Sequence, residues 1–475
     1  MLFAPGLALG KGQDAGGPWA APGTNLDQIE IIRMSSTSSS AHSGRSSAPA
    51  PQHQGHPVSP SDIAVGVIIG RTSEFFDFFV FAIASVIVFP QRIFPFVDPL
   101  SGTLLSFALL ALAFVVRPLG SALFMAVDRR HGRVTKLTTA LFLMGTATVA
   151  MGLIPSYDTA GDWAIVILAV LRIGQGLALG GAWDGMPSLL ALTSPRNRRG
   201  FYAMIPQLGA PIGLIVASLL FAYLAANLSE ADFLDWGWRY PFFVAFSVNV
   251  VALFARLRIV ATDEFGQLFR SRELQPTRLG TTLAEDGGAV LLGIFVPLAS
   301  FAMFHMVTVY PLSWIFLYTN ETLVSFLVIE AVAAVAGIAA ILLSGFLADR
   351  IGRQRLLLVG ALLIGGFAIL APLLLSAGQT GETIYMIAGF FILGLSFGQS
   401  SGAVASLFGV RNRYTGSALV SDLAWMFGAG FAPLTALLLS TWLGLPAAGL
   451  YLLSGAICST VAVLLAGRMD FKGDA

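Results

Sequence analysis

In the segment Arg71-Thr72-Ser73-Glu74-Phe75-Phe76-Asp77, three ionisable residues stand three apart. On a helix Arg71, Glu74 and Asp77 therefore share one face. Two outcomes are open to such a set. Arg71 and Glu74 can neutralise each other, or Glu74 or Asp77 can bind and release a proton as its distance from a guanidinium changes. Arg117 and the Arg172-x-x-Gln175 pair add two more guanidiniums, a group that grips carboxylates with paired hydrogen bonds. Arg172 is either the partner of a span-one carboxylate or the anchor of an anionic substrate. His305 is a candidate proton shuttle at neutral pH, or a hydrogen-bonded packing residue. Tyr310, Trp314 and Gln175 are candidate pocket-lining groups, and Glu330 is either a polar site or a carboxylate reaching for the surface. This is the chemistry of holding a proton and a small anion. No His-Glu-x-x-His helix, nucleotide-binding Gly-rich loop or Gly-x-Ser-x-Gly elbow is present, so neither an enzyme nor an ATP-driven pump is expected.

The elements that must carry these residues follow from composition. Of 475 residues, 56% are hydrophobic and 11% charged. A soluble domain carries about a quarter charged residues, so a water-facing surface cannot be tiled here. Lys+Arg 27 and Asp+Glu 26 nearly cancel, which leaves no basic face for nucleic acid. One cysteine, Cys458, excludes an internal disulfide and a cysteine metal centre; no metal and no cofactor are expected. The chain reads as an all-α membrane protein whose partners are the lipid bilayer, protons and a small-molecule substrate, working as a monomer. Apolar runs long enough to cross a bilayer lie near 61–89, 101–127, 136–154, 163–187, 201–226, 239–257, 289–318, 322–347, 355–376, 383–408, 417–441 and 446–467. At ~1.5 Å per residue, Glu74, Arg117 and Arg172 each fall roughly 15–18 Å from a span end, which suggests one polar cluster at the midplane. Residues 1–60 form a low-complexity tail with a possible start at Met34, and 468–475 form a second tail.

Lysine and arginine crowd alternate connections: Arg129, Arg130, Arg133 and Lys136; Arg196, Arg198 and Arg199; Arg256, Arg258, Arg270, Arg272 and Arg278; Arg350, Arg353 and Arg355; Arg411 and Arg413. The opposite connections hold only Arg92 and Arg239. The positive-inside bias puts both termini and the central loop in the cytoplasm. A turn recurs half a chain apart, as Asp128-Arg129-Arg130-His131-Gly132-Arg133 and Asp349-Arg350-Ile351-Gly352-Arg353. Gly there permits a tight turn, and the charges can bridge halves as a cytoplasmic gate. Two six-helix bundles, 61–257 and 289–467, joined by a cytoplasmic loop 258–288, are the mark of a transporter that rocks about a central site. Asp184 is expected to pair with Arg129 or Arg130, and Asp422 to contact the cytoplasmic basic loops. Gly176/Gly180 and Gly209/Gly213 are small-residue pairs for close helix packing.

The repeated turn, Leu171-Arg172-Ile173-Gly174-Gln175-Gly176 and the central loop resemble the major facilitator superfamily. The stretches Glu74–Phe79, Arg117-Pro118-Leu119-Gly120, Arg198-Arg199-Gly200, Trp236–Phe242 and Arg413-Tyr414-Thr415-Gly416 are similar to its metabolite:proton symporter branch. Ala182-Trp183-Asp184 and Ser421-Asp422 depart from that branch's pattern. The resemblance implies a twelve-helix facilitator fold in a bacterial inner membrane and symport of a small organic acid or zwitterion. It links Arg172 and the span-one acids to proton coupling. The alternatives are a proton-exchange exporter, which Gly209-Ala210-Pro211-Ile212-Gly213 faintly suggests, or, in a different class, a membrane sensor or channel.

Overall fold

The computed structural model describes residues 60–182, 190, 194–260 and 275–467. The N-terminal tail, the possible start at Met34, Asp184, Arg270, Arg272, residues 261–274 of the central loop and the tail 468–475 lie outside them. The described residues contain helices and no strand. The major helices are α1 (Pro60–Ile87), α2 (Pro99–His131), α3 (Arg133–Gly152), α4 (Asp162–Gly181), α5 (Arg199–Asn227) and α6 (Tyr240–Val260). After the link come α7 (Leu279–Tyr318), α8 (Leu323–Ile351), α9 (Arg353–Leu375), α10 (Gly378–Ser406), α11 (Arg413–Leu443) and α12 (Ala448–Ala466).

Eleven of these, all but α1, are long and apolar enough to cross a membrane. Helix α1 has 28 residues, but every 18-residue stretch of it contains Arg71, Glu74 and Asp77. Those charges are tolerable because α1 is an inner helix. From Phe75 to its end at Ile87 all of its residues are buried. Around the outside, Leu119, Phe142, Val170, Phe254, Val332, Ile369 and Leu464 stay exposed, forming the apolar belt that a bilayer covers.

Packing repeats with a shift of six helices. Helix α2 packs on α4 as α8 does on α10, α3 on α6 as α9 on α12, and α1 on α5 and α6 as α7 on α11 and α12. Between the halves, α5 meets α8 and α2 meets α11. Small residues set these distances. A Cβ at Gly180 on α4 would lie 2.3 Å from the Arg117 carbonyl oxygen on α2, and one at Gly209 on α5 would lie 2.6 Å from the Arg71 backbone on α1. The duplicated turns carry the expected glycines at positive φ, 83° at Gly132 and 88° at Gly352.

Two spans are irregular where they face the interior. Helix α7 is interrupted near Pro297 and again at Val309, ahead of Pro311, since proline supplies no amide hydrogen. Helix α11 contains a π-turn at Met426–Gly430. The start of α7 also differs from the apolar pattern. Helix begins at Leu279 rather than at 289 and is non-helical at Asp286. The acidic stretch docks there because Asn412 donates to Glu285 (2.9 Å) and Asp286 (2.8 Å), and Arg411 pairs with Glu285 at 3.0 Å.

Candidate functional site

The face bearing both duplicated turns is called the basic face below. Between it and the midplane lies a cavity walled by Arg71, Glu74, Phe75 and Phe78 of α1, Phe114 and Arg117 of α2, Leu179 and Ala182 at the end of α4, Arg256 of α6 and Trp425 of α11. A second lobe shares Arg71 and Trp425 with it and adds Gln207, Phe301, Ser400, Ser401, Ser417 and Ser421. Both halves of the molecule thus contribute to one site.

Glu74 is ion-paired with both Arg71 and Arg256. Arg117 pairs across the halves with Asp422 on α11 at 2.7 Å, and Ser121 donates to the same carboxylate. Around the cavity, three guanidiniums and two carboxylates are thus brought together from both halves.

Behind this wall, within the first half, is a second polar network. Asp77 accepts hydrogen bonds from Thr148 of α3 (2.6 Å) and Gln175 of α4 (3.1 Å). Gln175 in turn accepts from Arg172. Arg172 also donates to the carbonyls of Leu109 (3.3 Å) and Leu110 (3.1 Å), and its guanidinium lies 4.0 Å from the centre of the Phe81 ring. No direct Asp77–Arg172 ion pair is formed; Gln175 stands between them. Two carbonyls, an amide oxygen and an aromatic face make a fully buried guanidinium tolerable.

The cavity is sealed away from the basic face by an aromatic layer. Phe301 stacks on Trp425 (ring centres 4.5 Å apart), Phe79 on Phe304 (5.7 Å) and Phe78 on the His305 imidazole (5.0 Å). At the basic face several contacts join the halves, and Gln399 of α10 donates to the Gly200 carbonyl of α5 at 3.1 Å. Asp128 is buried beside Arg133 (3.3 Å) and Lys136 (3.8 Å), and Lys136 donates to the Tyr414 hydroxyl at 2.7 Å. Asp349 accepts the backbone amides of Gly200 (2.7 Å) and Phe201 (3.1 Å) at the start of α5. Arg353 donates to the Gly402 carbonyl at 2.8 Å, and Arg129 to that of Thr277 at 3.3 Å. Arg350 is exposed.

The sequence places Glu74, Arg117 and Arg172 at one depth and reads them as one cluster; the structure separates them. Equal depth does not fix azimuth. Arg172 leaves α4 toward α2 and Phe81, while Arg117 turns to α11. Arg71, Glu74 and Arg117 line the cavity, and Asp77, Arg172 and Gln175 lie behind it. His305, Tyr310 and Glu330 line neither lobe. His305 is locked in the aromatic layer, without a hydrogen-bond partner for either nitrogen among the described residues. Tyr310 is buried in the last segment of α7, and Glu330 is buried between α5 and α8 rather than at the surface. Asp422 pairs with Arg117, not with the basic loops, because α11 enters the bundle nine residues before it. Arg256 is the residue that sequence reasoning misses. Counted with the central loop, it is buried and pairs with Glu74. The clue was its position inside the apolar run 239–257.

The Major Facilitator Superfamily model matches residues 67–433. The chain belongs to that superfamily. Across 418 residues it is 37% identical to the inner membrane metabolite transport protein YhjE of Escherichia coli, covering 86% of this chain and 94% of that one. It is 30% identical to the shikimate transporter of E. coli (85% and 93% covered) and 30% identical to a putative proline/betaine transporter of Staphylococcus haemolyticus (79% and 80% covered). Among solved structures it superposes on the proton:xylose symporter XylE bound to 6-bromo-6-deoxy-D-glucose with a TM-score of 0.66 at 17% identity, covering 86% of this chain and 95% of that one. That likeness establishes the fold. This facilitator is a multi-pass transporter of the bacterial inner membrane, not an enzyme.

Proposed function

We propose that this facilitator is a proton-coupled symporter that takes up a small organic acid or zwitterion by alternating access of the central cavity. It works as a monomer, with its basic face and both termini in the cytoplasm; residues 61–257 and 289–467 move against each other. The observation that carries the reading is the pairing of two unlike polar systems. Arg71, Arg117 and Arg256 converge on a cavity where a substrate carboxylate can replace Glu74 or Asp422 on a guanidinium. Asp77 sits one layer behind with neutral donors only, so it can take a proton without giving up an ion pair. Glu74 could do so only by loosening two.

Coupling follows from Gln175. A protonated Asp77 becomes a hydrogen-bond donor, which turns the Gln175 amide and withdraws its oxygen from Arg172. The freed guanidinium changes the hold of α4 on α2, and α2 carries Arg117. Opening toward the cytoplasm requires the Asp128/Lys136–Tyr414 and Asp349–Gly200 contacts to part, which makes the Asp128–Arg133 and Asp349–Arg353 turns the gate. The relatives named for shikimate and for proline/betaine support a small carboxylate as cargo.

Purified protein in liposomes with an acidic exterior and a panel of carboxylates, betaines and amino acids tests this. The expected result is accumulation of one class together with inward proton movement. Proton movement opposite to the substrate would instead identify an exchanger. Arg172→Ala is expected to insert normally and abolish transport; near-normal uptake by that variant removes its assigned role.

A further inference from the structure

The mechanism above makes no use of the most isolated carboxyl group in the second half. Glu330 lies seven residues into α8 from Leu323, about 10 Å from the end opposite Asp349. It is fully buried at the contact between α5 and α8, one of the places where the halves meet. One carboxyl oxygen accepts from the Ser218 hydroxyl of α5 at 2.8 Å; the other has no hydrogen-bond partner among the described residues. None of the described ion pairs includes Glu330. Helix α5 offers it only that hydroxyl. On α10 the Tyr385 hydroxyl is spent on the Met306 carbonyl of α7, and Glu382 is turned toward Glu321. His305 and Tyr310 of α7 belong to the aromatic layer and to the last segment of that helix. Among the described residues no charged group faces Glu330.

An ionised carboxylate in such a place would have to be desolvated with nothing to compensate it, whereas a neutral carboxyl needs only the partners it has. A neutral group here also satisfies the closed arrangement only while α5 and α8 are in contact. Toward the basic face from it, the same interface holds a small apolar gap whose walls include Ala210, Pro211 and Leu214 of α5 and Gly337 and Ile341 of α8. Glu330 lies nearer the outer end of α8 than these groups do, so separation there admits water to it first.

We propose that Glu330 is a second proton-binding site of the transport cycle, loaded from the external solution. When the outer ends of α5 and α8 part, the hydrated carboxylate takes a proton from water. The resulting neutral carboxyl allows the two helices to close over it, with the Ser218 hydroxyl on one oxygen. Reopening returns the proton to water. Closure of the outer end is thus permitted only in the protonated form. The inference rests on the proposed symport direction but concerns a different carboxyl from Asp77.

Two readouts on the full chain test it. First, in the wild type the infrared spectrum at neutral pH contains a protonated-carboxyl band, and Glu330→Gln removes it. Ser218→Ala keeps the band and moves its frequency. A band that is unaffected by either substitution overturns the proposal. Second, uptake into liposomes is measured as external pH is varied at fixed internal pH. Glu330→Gln preserves the shape and the bond from Ser218, so a purely structural role predicts a wild-type pH profile. The proposal predicts that the response to external pH shrinks at least tenfold and that Glu330→Asp, which still titrates, restores it. A wild-type protein without any pH-driven uptake defeats the symport reading, whereas a normal wild type beside an unchanged Glu330→Gln profile defeats this inference alone.

Discussion

Helices α1, α2, α4 and α6 carry Arg71, Glu74, Asp77, Arg117, Arg172 and Arg256 into the interior, whereas α7, α8 and α11 carry His305, Glu330 and Asp422 among aromatic and small residues. The packing pairs of the first six helices nevertheless recur in the second six. Backbone packing and site chemistry have therefore diverged independently. The duplicated turns show this at close range. Gly132 and Gly352 adopt the same positive φ, yet Asp128 is buried among cations whose reach ends at Tyr414, while Asp349 is spent on two amides at the start of α5. One contact uses side-chain charge, and the other the unsatisfied N–H groups of a helix N-terminus.

The strongest challenge to this contrast is the pair that crosses it. Asp422→Ala leaves Arg117 without its counter-ion; stability is expected to fall by about 3–5 kcal/mol and transport to be lost, read by thermal melting in detergent and by uptake. Replacing Arg117 and Asp422 together by apolar residues of similar size is expected to melt higher than either single variant. Equal melting of all three means the pair does not tie the halves.

The turns come next. Asp128→Asn removes the charge that two buried cations share, and is expected to cost more than Asp349→Ala, which loses a helix cap worth about 1 kcal/mol. Thermal melting ranks the two; the reverse order would mean that the exposed turn is the main latch.

Helix spacing gives a smaller effect. Gly180→Ala forces α4 away from α2 and is expected to destabilise by about 1–3 kcal/mol. Gly366→Ala on α9, where nothing lies within 4 Å of an added Cβ, is expected to be neutral or slightly stabilising. Parallel denaturation curves compare them.

The smallest effect concerns Asp98, outside the spans, whose carboxylate caps α2 by accepting the Ser101 amide and is held below its ordinary value by that bonding. A lowered value means that the cap is complete above the unfolded carboxyl's pKa and is lost only as pH falls through the lower folded value. Asp98→Asn is therefore expected to leave the pH profile of uptake unchanged near neutrality, unlike Glu330→Gln.

Much of this was legible in the chain. Apolar run length and the alternation of basic connections mark the spans, and the recurrence of an Asp-Arg turn closed by Gly-Arg marks the duplication. Arg71 and Glu74 were recognisable as neighbours because i, i+3 spacing is a local property. What escaped was azimuth. Arg256 looked like a loop residue because arginine at the end of an apolar run ordinarily snorkels to the interface; only the approach of α6 to Gly70 of α1 gives its guanidinium a buried seat. Asp422 was likewise assigned to the loops, since nothing near it in sequence announces Arg117.

Composition and periodicity alone determined that this chain lives in a bilayer, that its scaffold is doubled, and that its ionisable residues sit at costly depths. These depend on how far along a helix a residue lies, which sequence counts directly. Which charges meet, which remain alone like Glu330, and where the cavity opens were decided by helix rotation and by contacts between residues hundreds of positions apart. Those depend on packing in three dimensions, which no local spacing encodes.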